Sequence, residues 1–293
     1  MNLRKAFRSI AVFALVFWTS NCAILFVFQR NLLFAQPRNL AEPAAYGLKD
    51  VEARQIAGAD GTKVTVWHWQ ARPGAPTLVF FPGNGETIGD RTDFLARLAD
   101  RGFGVMALSY RGYGNSEGSP SEQGFYTDAR AALLDLRDRG GTDMKKMVLF
   151  GESLGTGVAT QMATEFPVAA LVLKSPYTSI TDIASSRAPW APIGLMIRDP
   201  FESGAKIGRI GKPLLVLHGE NDDTVPVRFG RALFAAAAEP KQAIWYPGVG
   251  HMDFDEAAVA DALVAFCRAY GLMSGDPPHS AAGVRSQRAS WAG

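Results

Sequence analysis

Short apolar runs alternate with amphipathic stretches from residue 77 to residue 270. Runs such as Thr77–Phe81 and 147–150 are apolar at nearly every position, which is typical of strands buried on both faces of a sheet. The stretches between them, such as 87–100, place apolar residues on one helical face. Strands that alternate with helices predict a mostly parallel central sheet with helices on both faces.

Further elements follow from the same pattern. Buried strands are predicted at 104–110, 168–173, 213–217 and 243–246, and helices at 124–139, directly after Ser153, and at 253–270 with Asp253 as N-cap. Polar and apolar residues alternate around Gly58-Ala59-Asp60-Gly61, which predicts a β-hairpin over 51–70. The stretch 178–210 has no strand pattern and three prolines, which predicts a short cap-like helical insertion over the carboxyl edge of the sheet. This stretch could form a small lid over the site or only a longer crossover connection between two strands.

Residues 10–28 (IAVFALVFWTSNCAILFVF) carry no charge. At 1.5 Å per residue these roughly 19 residues reach about 29 Å as a helix, close to the hydrocarbon thickness of a bilayer. A cleaved signal peptide would have a shorter apolar core and a small-x-small site. A lipoprotein site at Cys22 would want a small residue where Asn21 stands, and a buried core helix would show a polar stripe. The pattern favours one uncleaved transmembrane anchor.

Basic residues flank this anchor on both sides. Arg4, Lys5 and Arg8 lie in the basic segment 1–9, and Arg30 and Arg38 follow the anchor. The modest excess before the anchor predicts a cytoplasmic N-terminus and a catalytic domain on the non-cytoplasmic side of a single-pass membrane protein.

Composition bounds the rest of the chain. At 293 residues and 47% hydrophobic residues, the chain after the anchor fits one domain, predicted over 29–273. A net charge of +2 with interspersed acids and bases gives no electrostatic reason to expect nucleic acid. Cys22 and Cys267 form neither a disulfide framework nor a metal-site pattern. The tail 274–293 is rich in Ser, Gly, Ala and Pro and is predicted to be disordered.

Two matches to G-x-S-x-G are candidates for a serine nucleophile. The first, around Ser153, follows the apolar strand 147–150 and precedes a helix, which is the context of a nucleophile elbow. The second, around Ser116, leads into Ser119-Pro120, where no helix can begin. Context therefore selects Ser153 and leaves Ser116 as a loop serine.

A nucleophilic serine needs a base to take its proton. Of the four histidines, His68 lies inside an early strand and His279 in the tail, while His218 ends a strand where a structural hydrogen bond is expected. His251 lies in a loop between the last strand and the last helix, and it is the predicted base.

The base in turn needs an acid that fixes its tautomer, expected in the loop after the preceding strand. Asp222 and Asp223 are adjacent there, and their side chains diverge, so one of them can reach His251. Pattern favours Asp222, and Asp223 would then cap or shape the next helix. The order Ser153, Asp222, His251 is the Ser…Asp…His order of α/β-hydrolases.

A tetrahedral oxyanion needs two or more hydrogen-bond donors. The backbone N–H of Leu154, directly after the nucleophile, is one candidate. The other is expected in the loop after Thr77–Phe81, where Pro82 has no N–H. Asn84 is the first choice and Gly85 the second.

Seven stretches together resemble one family. They are FQRNLLF after the anchor, FFPGNGE, YRGYGNSEGSPSEQG, GESLGTGVA, SPYTS, HGENDDTVP and GVGHMDF. The chain is similar, from about residue 28 to residue 270, to membrane-anchored α/β-hydrolase domain-containing proteins, a group that includes protein depalmitoylases and many bacterial esterases. In such proteins the YRGYGxSxG loop is structural, which agrees with the exclusion of Ser116. Relatives often carry His-Gly-Asn where this chain has Pro82-Gly83-Asn84, which leaves open how the oxyanion loop is braced.

The resemblance implies an α/β-hydrolase fold and a serine hydrolase that needs no cofactor or metal. Its expected substrate is a small-molecule or lipid acyl ester or thioester, cleaved through an acyl-enzyme. The anchor and the modest insertion suggest a hydrophobic acyl group near the bilayer. One alternative is a serine peptidase or amidase on the same fold, since fold does not choose the reaction. Another is a tethered binding protein with an inactive triad, against which the complete set of Ser153, Asp222 and His251 argues.

Overall fold

The computed structural model describes residues 3–48 and 50–273. The predicted tail 274–293 lies outside the described residues. The strands are β1 (Glu52–Ala57), β2 (Lys63–Trp69), β3 (Thr77–Phe81), β4 (Gly104–Ser109), β5 (Met147–Glu152), β6 (Ala170–Lys174), β7 (Leu214–Gly219) and β8 (Lys241–Tyr246). The helices are α1 (Leu3–Leu33), α2 (Thr92–Asp100), α3 (Glu122–Asp138), α4 (Leu154–Glu165), α5 (Ile180–Arg187), α6 (Ile193–Met196), α7 (Gly204–Ile207), α8 (Val227–Ala236) and α9 (Glu256–Ala269). Short 3₁₀ turns occupy Pro43–Tyr46, Ile88–Arg91 and Met144–Lys146.

The eight strands form one sheet in the order β1-β2-β4-β3-β5-β6-β7-β8. β1 and β2 form the predicted hairpin, and β2 also pairs antiparallel with β4. All pairs from β4 through β8 are parallel. The predicted mostly parallel sheet is therefore confirmed, and its parallel strands all end at one carboxyl edge.

Alternate side chains of each central strand enter different cores, because successive residues of a strand point to opposite faces. In β3, Val79 and Phe81 join the core that includes residues of α3 and α4. Leu78 and Phe80 join the core that includes residues of α2 and α9. Helices thus cover both faces, as the continuous apolar runs predicted.

Some element boundaries differ from the prediction. The last helix begins after Asp255, whose carboxylate accepts hydrogen bonds from the N–H groups of Ala257 and Ala258, so Asp253 is not its N-cap. Phe254 explains the shift, because it packs into the core beneath the Lys174 ammonium and the chain turns helical only after it. The helix predicted over 87–100 opens instead with the 3₁₀ turn Ile88–Arg91, and Thr87 and Asp90 form a capping box.

The N-terminal helix α1 is longer than the predicted anchor. It is the one helix among the described residues that is long and apolar enough to cross a membrane, and its most apolar window has a mean hydropathy of 2.2. By length and composition it fits a membrane span or a signal sequence. Its end is joined to the domain: Phe34 is buried and packs edge-to-face on Phe125, with 5.3 Å between ring centroids.

After α1 the chain runs along the carboxyl edge of the sheet. The Pro37 carbonyl accepts a hydrogen bond from the N–H of Gly114, and the side chain of Arg38 donates to the Ser116 carbonyl. At the same edge the connection between β6 and β7 contains α5, α6 and α7, which correspond to the predicted helical insertion. Both segments therefore lie on the side of the sheet where the candidate catalytic loops meet.

Candidate active site

Ser153 occupies a strained turn between β5 and α4. Its backbone angles are φ 48° and ψ −116°, a region that non-glycine residues rarely adopt. Its N–H donates a hydrogen bond to the Lys174 carbonyl at the end of the neighbouring strand, 2.9 Å away. Strain of this kind persists only where surrounding structure holds it, and it concentrates at functional sites.

The glycines of G-x-S-x-G are required by close backbone approach. A Cβ at Gly155 would lie 2.0 Å from the carbonyl oxygen of Phe81, and a Cβ at Gly151 would lie 2.5 Å from that of Gly155. Backbone atoms cannot move aside as a flexible side chain can. Only glycine therefore lets α4 start this close to β3 and β5.

The structure brings Ser153, His251 and Asp222 together in one hydrogen-bonded chain. His251 Nε2 lies 3.0 Å from Ser153 Oγ, and His251 Nδ1 lies 2.7 Å from Asp222 Oδ2. Ser153 and His251 are partly exposed, whereas Asp222 is buried. These distances are those of a serine, a base and an orienting acid.

Asp222 is held in its ionised form by several donors. Its Oδ1 accepts the N–H of Val225 at 2.7 Å, and His218 Nε2 lies 3.4 Å from Oδ2. Burial alone would raise the pKa of Asp222, but the hydrogen bonds from His218, His251 and Val225 outweigh burial and lower the pKa. His218 also contacts the Val225 carbonyl at 2.8 Å, the structural hydrogen bond that the sequence suggested.

The other candidates lie elsewhere. Asp223 is exposed, and α8 begins after Pro226 with no side-chain cap, so the expectation that Asp223 caps this helix is wrong. Ser116 is buried; its hydroxyl donates to the Ser109 carbonyl at 2.8 Å and accepts the N–H of Thr65 at 2.9 Å. His68 is buried in β2, and His279 lies outside the described residues.

The loop after β3 lies beside the serine. A Cβ at Gly83 would be 3.5 Å from Ser153 Cβ, so the backbone of this loop borders the reacting centre. The Glu86 carboxylate lies against the same loop, with Oε1 3.2 Å from the position that a Cβ at Gly83 would take. The neighbouring Asn84 and the helix-opening Leu154 are the two backbone donors that the sequence proposes for the oxyanion.

The Asn84 side chain shows how this loop is braced. Its side-chain amide donates to the Leu33 carbonyl at 2.7 Å, and its oxygen accepts the Ala35 N–H at 2.9 Å and the Tyr113 hydroxyl at 2.7 Å. The loop is therefore fastened to the end of α1. This side-chain contact was not predicted.

A buried charge cluster underlies the elbow. Glu152, the residue directly before the serine, forms ion pairs with Lys174 at 2.7 Å and with Arg91 at 2.9 Å. Arg91 also bonds Glu256 at 2.9 Å and lies 3.9 Å from Glu86. Burial would raise the pKa of Glu152, but the charges of Lys174 and Arg91 outweigh burial and lower the pKa.

Sequence reasoning missed this charge cluster. A signal was present, because Glu152 and Lys174 each end an apolar run, and the two runs are neighbouring parallel strands in which these residues are register partners. Unpaired charges at such positions would be costly, so opposite charges ending adjacent buried strands indicate an ion pair.

Glu86→Gln is expected to flatten the pH dependence of stability. Burial and the charge of Glu152 raise the pKa of Glu86 from 4.5 to about 7. The folded protein therefore binds this proton more tightly than the unfolded chain, and the wild type loses stability, about 1 to 3 kcal/mol, as pH rises through that window. The variant cannot lose a proton there, so its unfolding temperature should exceed that of the wild type near neutral pH and above.

Thermal unfolding between about pH 5 and about pH 8 checks this expectation. Glu239→Gln provides the matched control, since it removes an exposed carboxylate that lies outside the charge cluster. If Glu86→Gln lost as much stability as the wild type when the pH rises over this range, the role given to Glu86 would be wrong.

No group of three or more His, Cys, Asp or Glu side chains suited to a metal ion occurs among the residues that the structure describes.

Comparisons with known proteins identify the family of the chain. Residues 73–198 match a family described as serine aminopeptidase, S33. An uncharacterised protein of Mycobacterium tuberculosis is 34% identical over 273 residues, 91% of this chain and 97% of that protein. The human α/β-hydrolase domain-containing protein 17B is 30% identical over 207 residues, 70% of each chain.

Solved structures share the fold. An α/β-hydrolase from Vibrio vulnificus superposes with a TM-score of 0.67 at 20% identity, covering 82% of this chain and 92% of that one. An esterase from Pyrococcus furiosus superposes with a TM-score of 0.64 at 17% identity, covering 80% and 99%. Together with the sequence relatives, they show that the chain belongs to the α/β-hydrolase family, among the α/β-hydrolase domain-containing proteins.

Proposed function

We propose that this hydrolase is a serine esterase or thioesterase that forms an acyl-enzyme. One observation carries the proposal: Ser153 Oγ, His251 and Asp222 form a continuous hydrogen-bonded chain at a strained elbow, with 3.0 Å and 2.7 Å between the joined atoms. A hydroxyl is a weak nucleophile, and this arrangement is one that activates it.

In the proposed reaction, Ser153 Oγ attacks the carbonyl carbon of the acyl group while His251 Nε2 takes the hydroxyl proton. The tetrahedral intermediate places its negative oxygen at the N–H groups of Leu154 and Asn84, and losing one such donor typically costs about 3 kcal/mol. The intermediate collapses when the bond to the alcohol or thiol breaks and His251 returns the proton to that leaving group. Water then attacks the acyl-enzyme with His251 again as base, and Ser153 is released.

Asp222 keeps His251 in the productive tautomer. It accepts the Nδ1–H, which leaves Nε2 free of a proton and facing Ser153. The donors that lower the pKa of Asp222 keep this carboxylate charged, so that it stabilises the imidazolium formed in each half-reaction. This mechanism uses no cofactor and no metal.

We also propose that α1 is an uncleaved single-pass anchor over 10–28, with the domain 29–273 on the non-cytoplasmic side. The packing of its C-terminal part supports an uncleaved helix: Arg30 forms a two-pronged ion pair with the buried Asp199, and Phe34 enters the core. Because Asn84 bonds Leu33 at the end of α1, the loop beside Ser153 lies next to the membrane end of the domain. A hydrophobic acyl substrate held at the bilayer fits that location.

The second candidate, a serine peptidase or amidase, is favoured by the description of the matched family as serine aminopeptidase. A substrate panel separates the two. Purified full-length protein is assayed on esters and thioesters graded from acetyl to palmitoyl and on aminoacyl anilides, with Ser153→Ala as the background. We expect turnover of esters and thioesters above that background; turnover of anilides alone would favour the peptidase.

A further inference from the structure

We propose that the uncharged segment Ala188 to Ile197 enters the lipid bilayer beside α1 and holds the Ser153 edge of the domain at the membrane surface. This membrane-inserting segment reads APWAPIGLMI and lies between Arg187 and Arg198. The inference rests on the proposed membrane span of α1 and goes beyond it, because it assigns the bilayer as the partner of a second, separate part of the chain.

The membrane-inserting segment lies along the anchor helix over several turns. The indole N–H of Trp18 donates to the Trp190 carbonyl at 2.9 Å. The Gln29 side chain donates to the Met196 carbonyl at 3.1 Å and accepts the N–H of Arg198 at 2.7 Å. Half-buried residues of α1 repeat at helical spacing on the side that faces the domain: Cys22, Leu25, Gln29 and Leu33.

These contacts fix how deeply the segment would lie. Twelve residues separate Trp18 from Arg30, and at 1.5 Å per residue this is about 18 Å. If Arg30 sits at the headgroups, Trp18 lies well inside a hydrocarbon core about 30 Å thick. Trp190, hydrogen-bonded to Trp18, must share that depth, so a membrane that contains α1 also contains this part of the insertion.

The exposed surface of the segment suits lipid and not water. Leu195 is 91% exposed and Trp190 is 50% exposed, next to Trp18, which is 42% exposed. Contiguous apolar exposure of this kind marks an interaction surface. The neighbouring α1 presents the same apolar character to its surroundings, so the two form one continuous apolar face.

Much of the segment's backbone also meets a requirement of a bilayer, which is that polar groups find partners within the protein. Pro189 and Pro192 have no N–H to satisfy. Several N–H groups donate to carbonyls within the segment itself, namely those of Ala191, Ile193, Leu195 and Ile197. The carbonyls of Trp190 and Met196 accept side-chain donors from α1.

Charged residues gather only at the two ends of the segment. Arg187 donates to the carbonyls of Asp223 and Thr224, which follow Asp222 in the loop between β7 and α8. Arg198 lies over the Phe26 ring at 4.3 Å, and the following Asp199 pairs with Arg30. The ends therefore connect the inserted segment to both the candidate triad and the anchor.

Depth measurement with a spin label tests the proposal. A nitroxide is placed on the Leu195→Cys variant in a Cys22→Ser background, in full-length protein held as one copy per lipid nanodisc. Cys267 needs no replacement, because it is fully buried and burial raises the pKa of its thiol to about 12. Collision rates with oxygen, which concentrates in lipid, and with a water-soluble nickel chelate report the depth of the label.

Two matched sites calibrate the result. A label on Leu15→Cys, one turn from Trp18 in α1, marks the anchor, and a label on the exposed Glu239→Cys, just before β8, marks the opposite, amino edge of the sheet. We expect the Leu195 label to resemble the Leu15 label, with oxygen contact favoured over the chelate. This inference would be overturned if the Leu195 label collided with the chelate as often as the Glu239 label while the Leu15 label collided mainly with oxygen. The proposed membrane span of α1 would then still hold.

If both the Leu15 and Leu195 labels are open to the chelate, the membrane span of α1 fails and this inference fails with it. With one copy per disc, a second copy of the chain cannot shield the label. Covalent labelling of Ser153 by a fluorophosphonate, measured on the same samples, is independent of depth, so failure of the serine hydrolase proposal remains distinguishable.

Discussion

Replacing Ser153 by alanine is expected to lower kcat for a short acyl ester by about four to six orders of magnitude. The variant keeps the elbow, the helix and the backbone donors, but no atom remains at the position 3.0 Å from His251 Nε2 that could attack the acyl carbon. Residual turnover would come from the oxyanion donors and from binding alone. Steady-state hydrolysis of an activated ester by purified full-length protein measures the loss.

Ser116→Ala is the matched control, because it alters the serine of the other G-x-S-x-G match. The Ser116 hydroxyl bonds Ser109 and Thr65 in a buried loop, so its removal should cost about 1 to 3 kcal/mol of stability. Its kcat should stay near that of the wild type under conditions where both proteins are folded. A Ser153→Ala variant with wild-type turnover, or a Ser116→Ala variant that is folded and inactive, would contradict the assignment.

Asp222→Asn is expected to lower kcat by about four orders of magnitude with little change in fold. The N–H of Val225 requires an acceptor, so the amide oxygen of the new asparagine should take the place of Asp222 Oδ1. Its NH₂ group would then face His251 Nδ1 and force the proton onto Nε2. In that tautomer His251 cannot accept the proton of Ser153.

Asp223→Asn serves as the matched control in the same loop. Asp223 is exposed and lies outside the hydrogen-bonded chain, so the variant should keep wild-type kcat and KM. The pair of variants is compared by ester hydrolysis across pH. If Asp223→Asn lost activity and Asp222→Asn kept it, Asp223 and not Asp222 would be the acid that orients His251.

The fold was predictable because its signals are local. Apolar runs such as Thr77–Phe81 must be buried on both faces, and the structure places alternate residues of this strand in two different cores. The elbow was equally readable, since strand, Gly-x-Ser-x-Gly and helix are consecutive in the chain. The order of Ser153, Asp222 and His251 then followed from which loops reach the carboxyl edge.

What the sequence did not reveal depends on contacts between distant residues. The Asn84 side chain bonds Leu33, 51 positions away, and no periodicity links the two. Arg91 joins Glu86, Glu152 and Glu256 in the charge cluster because the 3₁₀ turn before α2 meets the loop after β3, the end of β5 and the start of α9. The position of the last helix shifted for the same reason, since burial of Phe254 against Lys174 is a tertiary contact.

The anchor and the candidate site are more closely joined than the sequence indicated. The sequence treats 10–28 as a tether that ends before the domain, whereas α1 continues to Leu33, where its last carbonyl receives the side chain of Asn84. A hydrogen bond therefore joins the end of α1, the proposed anchor, to the loop beside Ser153. This arrangement connects the proposed hydrolase chemistry with the proposed insertion of 188–197 in one membrane-facing edge.

If Ser153 is the nucleophile of a serine hydrolase, a covalent inhibitor of such enzymes should attach to it. Full-length protein in lipid is treated with a fluorophosphonate, digested, and analysed by mass spectrometry for the modified peptide. We expect one adduct, on Ser153, that disappears in Ser153→Ala and persists in Ser116→Ala. An adduct on another residue, or labelling that survives in Ser153→Ala, would contradict it.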